Sequence, residues 1–163
     1  MRSVWIMNLK DNRDDGEQKN TDKKFNFCQE HNILAIGWAG QSPADGSTAF
    51  KNALDGLSRM ARGDLVWVKN PCTGERYLCE ILNDRVLPLP NSFHAFDAAR
   101  GRICEYRPVS EQQLCGKIDP KHLVSISTVR PVAELSVIQA TNELFDRICA
   151  CMDVECREEE ISS

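Results

Sequence analysis

The chain has 163 residues, of which 42% are hydrophobic and 27% are charged. It is therefore the size of one globular domain and is not a disordered chain. No apolar run approaches the roughly 20 residues that cross a bilayer, and the N-terminus lacks a signal-peptide pattern. The net charge is −4, and because residues 143–163 are acidic, residues 1–142 carry 18 bases and 17 acids. This near-neutral body argues against indiscriminate duplex DNA binding, which needs many cationic contacts to phosphate, but is compatible with a reader that holds one nucleotide in a pocket.

The sequence contains eight cysteines but no C-x-x-C pair. Zinc sites usually show such short paired spacings, and the one tight group, Cys149-x-Cys151-x4-Cys156, has no histidine beside it. Cys79 and Cys104 lie in apolar runs, where cysteine behaves as a small hydrophobic residue. We expect reduced, metal-free thiols in a reducing, cytoplasmic compartment, with a metal site or disulfides as the less favoured alternatives.

The N-terminal third of the chain predicts two strands separated by a helix. Residues 3–9 form a short unbroken apolar run, typical of a strand buried on both faces. A helix is predicted over residues 22–31, with Thr21 as its N-cap and Asn32 as its C-terminal stop. The run ILAIGW, residues 33–38, predicts the second strand.

The helix predicted after the second strand is the clearest in the chain, because its apolar residues recur at helical spacing. We expect it to end at Arg62-Gly63-Asp64, where the chain turns into a strand. Residues 64–83 then predict a β-hairpin around a turn at 71–74. The residues of the apolar helix stripe are Phe50, Ala53, Leu54, Leu57, Met60 and Ala61.

Residues 83–100 predict a long loop, a type of segment that is usually functional inside a compact domain. Strands are predicted at 102–109 and 122–129. From Pro131, which suits the first turn of a helix, the pattern becomes helical. The apolar face of this C-terminal helix consists of Leu135, Ile138, Phe145, Ile148 and Met152.

These elements predict an α+β fold, a small open β-barrel of five or six strands with flanking helices and a C-terminal helix. We expect a barrel domain over residues 1–130. Residues 131–163 would form the C-terminal helix and an acidic tail, packed on the barrel or on a second copy of the chain.

No catalytic or cofactor-binding motif is present in the sequence. There is no G-x-G-x-x-G, no G-x-x-x-x-G-K-[ST], no G-x-S-x-G and no H-E-x-x-H. The three histidines, His31, His94 and His122, stand far apart in the chain. We therefore expect a protein that is not an enzyme and that carries no cofactor or metal.

The three tryptophans differ in their surroundings. Trp5 and Trp67 lie in apolar runs, which favours the core, although aromatic residues around a barrel mouth also stack on bases. Trp38 closes the second strand and precedes a polar, glycine-containing loop. We expect Trp38 to line a site and Trp67 to be buried.

The order of these segments resembles the EVE domains of the PUA-like superfamily, which also includes the YTH readers. The resemblance covers about residues 3–130. It rests on VWIMNL, a strand ending in IGW, a helix ending at Met60, the segment Gly63-Asp64-Leu65-Val66 and a Tyr-led partner strand. The segment 102–106, RICEY, looks like a later family element with tyrosine in place of tryptophan, and Gly63-Asp64 is expected to shape a turn.

The resemblance implies an open barrel whose aromatic pocket takes in a flipped modified base, a 5-substituted cytosine in DNA or N6-methyladenine. It matches Trp38 to the aromatic residue that closes the pocket, and the end of the first strand to polar contacts with base or phosphate. The long loop would supply further aromatic walls, although it contains no tryptophan. The resemblance implies Trp38, Asn8, Lys10, Phe93 and Phe96 as pocket residues, to which we add Trp5 as an aromatic residue of the first strand. A near-neutral body would also need local cations for phosphate, for which we single out Arg100 and Arg102.

Two other functions stay open at this point. In the first, the barrel is a scaffold whose C-terminal helix docks a partner protein or a second copy. Alternatively, the chain is a PUA-type RNA-binding module that acts on tRNA or rRNA. All the nucleic-acid interpretations share one partner class and need no membrane.

Overall fold

The computed structural model of the chain describes residues 1–9, 19–36, 48–70, 72–89, 100–114, 117–125 and 128–162. The strands in this part of the chain are β1 (Val4–Met7), β2 (Ile33–Ile36), β3 (Leu65–Lys69), β4 (Arg76–Ile81), β5 (Leu87–Pro88), β6 (Arg100–Val109) and β7 (Val129–Pro131). The helices are α1 (Lys19–Glu30), α2 (Thr48–Arg59), α3 (Glu111–Leu114) and α4 (Leu135–Ser162), with a 3-10 helix at Pro120–Leu123.

All of these strands belong to one mixed sheet, in the order β2-β6-β4-β3-β1-β7, with β5 paired to β6. β1 and β3 are parallel, and the other neighbours are antiparallel. The sheet curls into a half-barrel, so the predicted α+β class with flanking helices and a C-terminal helix is confirmed. The short strands β5 and β7 raise the number of strands in the described residues above the predicted five or six.

The sheet buries apolar side chains on both faces, as the unbroken run in β1 predicts. Side chains alternate between the faces along a strand, and every residue of β1 is buried. One face, here called the α2 face, carries Trp5, Met7, Val66 and Val68 against Phe25 of α1 and Phe50, Ala53 and Leu57 of α2. The other, the α4 face, carries Val4, Ile6, Leu65 and Trp67 against Val137, Leu144 and Phe145 of α4.

The apolar stripe predicted in α2 packs against the sheet. Its members are buried or half-buried, except Ala61, which lies beyond the end of the helix and is exposed. The Asp64 carboxylate accepts hydrogen bonds from the Ala61 amide (2.9 Å) and from the indole N–H of Trp5 (3.1 Å). Gly63 has φ +89°, a left-handed conformation that favours glycine. The prediction that Gly63-Asp64 shapes this turn is therefore confirmed.

Gly56 lies where α2 approaches β7. A Cβ atom at residue 56 would lie 2.7 Å from Cγ1 of Val129 and 3.0 Å from its Cβ. Val129 is β-branched with a stiff χ1, and its strand is paired to β1. Alanine is normally about 1 kcal/mol more favourable than glycine inside a helix. Position 56, however, has no space for the methyl group of alanine.

We expect Gly56→Ala to lower the free energy of unfolding, because overpacking costs about 1–3 kcal/mol and outweighs the gain in helix propensity. Urea denaturation of the full chain measures the change. In a Val129→Ala background the same substitution should cost less, because the 2.7 Å approach to Cγ1 is removed while the 3.0 Å approach to Cβ stays. A Gly56→Ala protein that is more stable than the wild type would contradict this close approach.

The C-terminal helix packs on the sheet, as one of the two predicted arrangements requires, but its beginning and its face differ from the prediction. Pro131 is not in a first helical turn: it lies in β7, paired with Trp5, and α4 begins at Leu135. Leu135 is 59% exposed. Among the residues of α4 whose burial is described, 135–151, the buried ones are Val137, Thr141, Asn142, Leu144 and Phe145, with Ile138 and Ile148 half-buried beside them.

The predicted strand at 122–129 is wrong over residues 122–125, whereas Val129 does belong to a strand and residues 126–127 lie outside the described part of the chain. The side chain of Asp119 caps a 3-10 helix by accepting from the Lys121 amide at 3.0 Å, and Pro120 occupies its first turn. Among the described residues of this region, 129–131 pair with β1 as a strand, and the Asn8 amide extends the contact to the Thr128 carbonyl at 2.8 Å.

The predicted C-terminal end of α1 at Asn32 is confirmed, whereas the predicted N-cap, Thr21, is wrong. Asn32 adopts φ 52° after the last helical residue, a left-handed conformation in which asparagine often ends a helix. Thr21 lies inside α1, which begins by Lys19, so it is not the N-cap. The region predicted as one long loop contains β5, and its residues 90–99 lie outside the described part of the chain.

Cys79 and Cys104 are completely buried on the α2 face together with Cys28, as predicted for small hydrophobic residues. Burial raises the pKa of the Cys79 thiol well above its usual value, and a hydrogen bond with Cys104 adds to the effect. The thiol is therefore protonated at neutral pH and is a poor nucleophile.

Candidate nucleic-acid interface

Three segments of chain meet at one end of β6. Arg100 is paired with Ile36 of β2 on one side and with Pro88 of β5 on the other. Gly101 allows this close approach, because a Cβ there would lie 3.2 Å from the Leu34 carbonyl oxygen and 3.4 Å from Cδ2 of Leu89. We call this place the β2–β5–β6 junction.

The predicted aromatic pocket residues are attached to this junction. Trp38 follows Ile36 in the sequence, and Phe93 and Phe96 lie between Pro88 and Arg100. All three residues, like Lys10, lie outside the described residues. Arg100 itself is half-buried at the start of β6.

Arg102 is not a phosphate contact, because its side chain is completely buried on the α2 face. Its Nη1 donates to the carbonyls of Leu57 and Met60, at the C-terminal end of α2. Its Nη2 and Nε donate to the carbonyl (2.6 Å) and to the side-chain oxygen (3.0 Å) of Asn83. Burial lowers the pKa of Arg102, and Asp64 and Asp84 oppose this shift. The guanidinium therefore caps a helix inside the protein, and the predicted phosphate contact is wrong.

Trp5 belongs to the core, in agreement with the first of its two interpretations. Its side chain is 5% exposed, its indole N–H donates to Asp64, and the guanidinium of Arg59 lies 5.8 Å from its ring. The ring therefore offers almost no surface to a base, and the structure contradicts its assignment to the pocket.

Asn8 follows β1 on the α4 face, and its side-chain amide donates to the Ser125 carbonyl at 3.4 Å. It lines a cavity of about 260 Å³ together with residues of β3, β4 and the segment 123–125. Arg100 is on β6, which is separated from β1 by β3 and β4 in the sheet. By alternation Arg100 shares the α2 face with Cys104, so the structure does not bring Asn8 and Arg100 together.

Two functional candidates were missed by sequence reasoning. Lys69 and Arg76 are direct partners across the β3–β4 hairpin, and both line the cavity at Asn8. The predicted hairpin contained the signal, because pairing its strands around a turn places the last residue of one opposite the first of the other.

The described residues form neither a metal site nor a membrane-spanning helix. No group of three or more histidine, cysteine, aspartate or glutamate side chains there is placed to hold a metal ion. Within the same residues, none of the helices combines the length and the apolar character that crossing a membrane requires.

No protein-family model matches the sequence, and the comparison with curated proteins gave no match. Among solved structures, the chain is similar to the Pho92 YTH domain in complex with m6A, with a TM-score of 0.45 and 13% identity, over 88% of this chain and 83% of that one. It is also similar to the YTH domain of the Zygosaccharomyces rouxii MRB1 protein in complex with N6-methyladenosine RNA. There the TM-score is 0.44 and the identity 12%, over 88% of this chain and 86% of that one.

Proposed function

We propose that the chain is a non-enzymatic reader that holds one modified base of a nucleic acid at the β2–β5–β6 junction. The observation that carries this proposal is the pairing of Arg100 with both Ile36 and Pro88. Trp38 is two residues after Ile36 in the sequence. Because consecutive Cα atoms are about 3.8 Å apart, two residues cannot carry Trp38 far from this junction. The segment that contains Phe93 and Phe96 also begins and ends there, which supports grouping these aromatic residues in one site.

The energetics of base recognition fit such a site. Flipping a base out of a stack costs a few kcal/mol, and stacking on an aromatic side chain returns about 1–3 kcal/mol per base. Arg100 adds positive charge at the rim for a neighbouring phosphate. Because residues 1–142 carry only one net positive charge, affinity would depend on the base pocket more than on the phosphate backbone.

The experiment compares oligonucleotides that differ only in one base modification, at fixed salt. One pair is RNA with and without N6-methyladenine, and the other is DNA with and without 5-methylcytosine. We expect the wild type to prefer one modified oligonucleotide. Trp38→Ala should lose about 1–3 kcal/mol of affinity for it, roughly a 5- to 150-fold rise in Kd. Trp38→Phe, which keeps an aromatic face, should lose less.

Thermal melting of the same variants provides the control. Trp38→Ala should melt close to the wild type if Trp38 serves binding rather than the core. Unchanged affinity together with a much lower melting temperature would place Trp38 in the core and refute the pocket. Equal binding of modified and unmodified RNA would favour the PUA-type RNA-binding module instead.

The scaffold alternative draws no support from α4. The apolar residues of its described face, Val137, Leu144 and Phe145, are already buried against the sheet. They are therefore not available to a partner protein or a second copy while the fold is intact.

A further inference from the structure

The cavity beside Asn8 lies at the end of the parallel pair β1–β3, on the α4 face. Its walls are Ile6, Trp67, Val68 and the segment 123–125, and Val124 at its rim is 62% exposed. Arg130 of β7 fixes this segment, because its Nη2 donates to the carbonyls of His122 and Val124 at 3.2 Å each. Together with the Asn8–Ser125 hydrogen bond, these contacts hold the wall of the cavity in place.

Two cations stand side by side at the mouth of this cavity. Lys69 and Arg76 are directly opposed across the β3–β4 pair, so both side chains project from the same face. Neither forms an ion pair or a side-chain hydrogen bond within the described part of the chain. None of the described lining residues is acidic. Like charges in directly opposed positions destabilise a sheet, and a bound anion would relieve their repulsion.

We propose that this cavity binds a small organic anion, with its apolar body against Val124 and Ile6 and its phosphate or carboxylate between Lys69 and Arg76. A buried apolar cavity of about 150 Å³ accommodates benzene, so about 260 Å³ has room for a ring and a further group. The amide of Asn8 supplies a polar group at the same mouth. Apolar walls with a few convergent polar groups are the usual composition of a small-molecule site.

This site is separate from the proposed base pocket. It lies beside β1, β3 and β4 on the α4 face, whereas the β2–β5–β6 junction is at the end of β6 and includes none of its lining residues. A reader that also binds a small anion would carry two independent sites. The two proposals therefore fail independently.

The test uses the full chain and phenyl phosphate as the probe, with phenol and inorganic phosphate as its two halves. Methyl NMR shifts of Ile6, Leu123 and Val124 report on the cavity. We expect phenyl phosphate to move these signals in a saturable way at millimolar concentrations or below, and each half alone to bind more weakly. Raising the salt concentration should weaken the binding, because the cations are partly exposed.

Matched variants decide the role of the cations. Lys69→Gln and Arg76→Gln should each raise the Kd of phenyl phosphate about three- to fivefold, and the double variant more. Lys51→Gln, at an exposed lysine of α2, should leave it unchanged, and Trp38→Ala should retain it whether or not the base pocket exists.

Three outcomes would overturn the proposal. One is the absence of methyl shifts with about 10 mM phenyl phosphate, far above the Kd of a useful site. The second is wild-type affinity in the Lys69→Gln/Arg76→Gln double variant. The third is a response of these methyl groups to oligonucleotides only, which would assign Lys69 and Arg76 to a nucleic-acid backbone.

Discussion

Replacing Trp67 with alanine is expected to lower the free energy of unfolding by about 3–5 kcal/mol, as for other large core truncations. Trp67 is 2% exposed and lies in the middle of β3 on the α4 face. Its indole N–H donates to the hydroxyl of Thr141 at 3.1 Å, and Thr141 is completely buried in α4. The alanine variant would leave a cavity between sheet and helix, and a buried hydroxyl without its donor.

Two further variants separate the hydrogen bond from the packing. Trp67→Phe keeps an aromatic ring but removes the indole N–H, and Thr141→Val removes the hydroxyl while keeping the side-chain shape. A double-mutant cycle between them should give a coupling of about 0.5–1.5 kcal/mol, the usual net value of such a bond. Urea denaturation measures all four proteins. A Trp67→Ala protein within about 1 kcal/mol of the wild type would contradict the core assignment.

The burial of Trp67 could be predicted from local sequence. An aromatic residue inside an unbroken apolar run belongs to a strand buried on both faces, and this was correct for Trp67 and for Trp5. The stripe of α2 and the β3–β4 hairpin were also predictable, because helical spacing and a turn between two strands are local patterns. These elements establish the α+β class.

The sequence predictions were wrong where the local structure depends on pairing with a segment that is distant in the sequence. The alternation in residues 122–129 is typical of a strand, but a strand needs a neighbour, and β1 offers β7 only the three positions Trp5–Met7. The 3-10 helix capped by Asp119 instead occupies residues 120–123, and the backbone becomes extended only at Val124. Pro131 fits the first turn of a helix equally well as an edge strand, where a missing N–H is tolerated, and only the pairing with β1 distinguishes the two.

The residues of the candidate site could not be grouped correctly from the sequence for the same reason. The resemblance grouped Asn8 with Trp38 because both end a strand, but sheet order and alternation place Asn8 on the α4 face, away from Ile36. Lys69 and Arg76 are seven residues apart in the sequence and become neighbours only through the hairpin register. A sequence pattern identifies which residues carry the chemistry, whereas the register decides which of them meet.

Arg102 is the clearest case of a residue whose role the sequence did not show. Its replacement should have the second large effect that we expect. Arg102→Ala should lower the free energy of unfolding by at least about 3 kcal/mol, since hydrogen bonds to a charged donor contribute about 1.5–3 kcal/mol each when buried. The guanidinium donates to the carbonyls of Leu57 and Met60 and to two oxygens of Asn83. Without it, the C-terminal carbonyls of α2 lose their donors inside the protein.

The lysine variant and the neighbouring arginine provide the controls. Arg102→Lys should recover only part of the stability, because one ammonium group does not reproduce a planar fork of donors. Arg100→Gln, two residues earlier in β6, should weaken oligonucleotide binding and its salt dependence. The opposite pattern would contradict the structure: a stable Arg102→Ala protein with a reduced salt dependence of binding would make Arg102 the phosphate contact that the sequence first predicted.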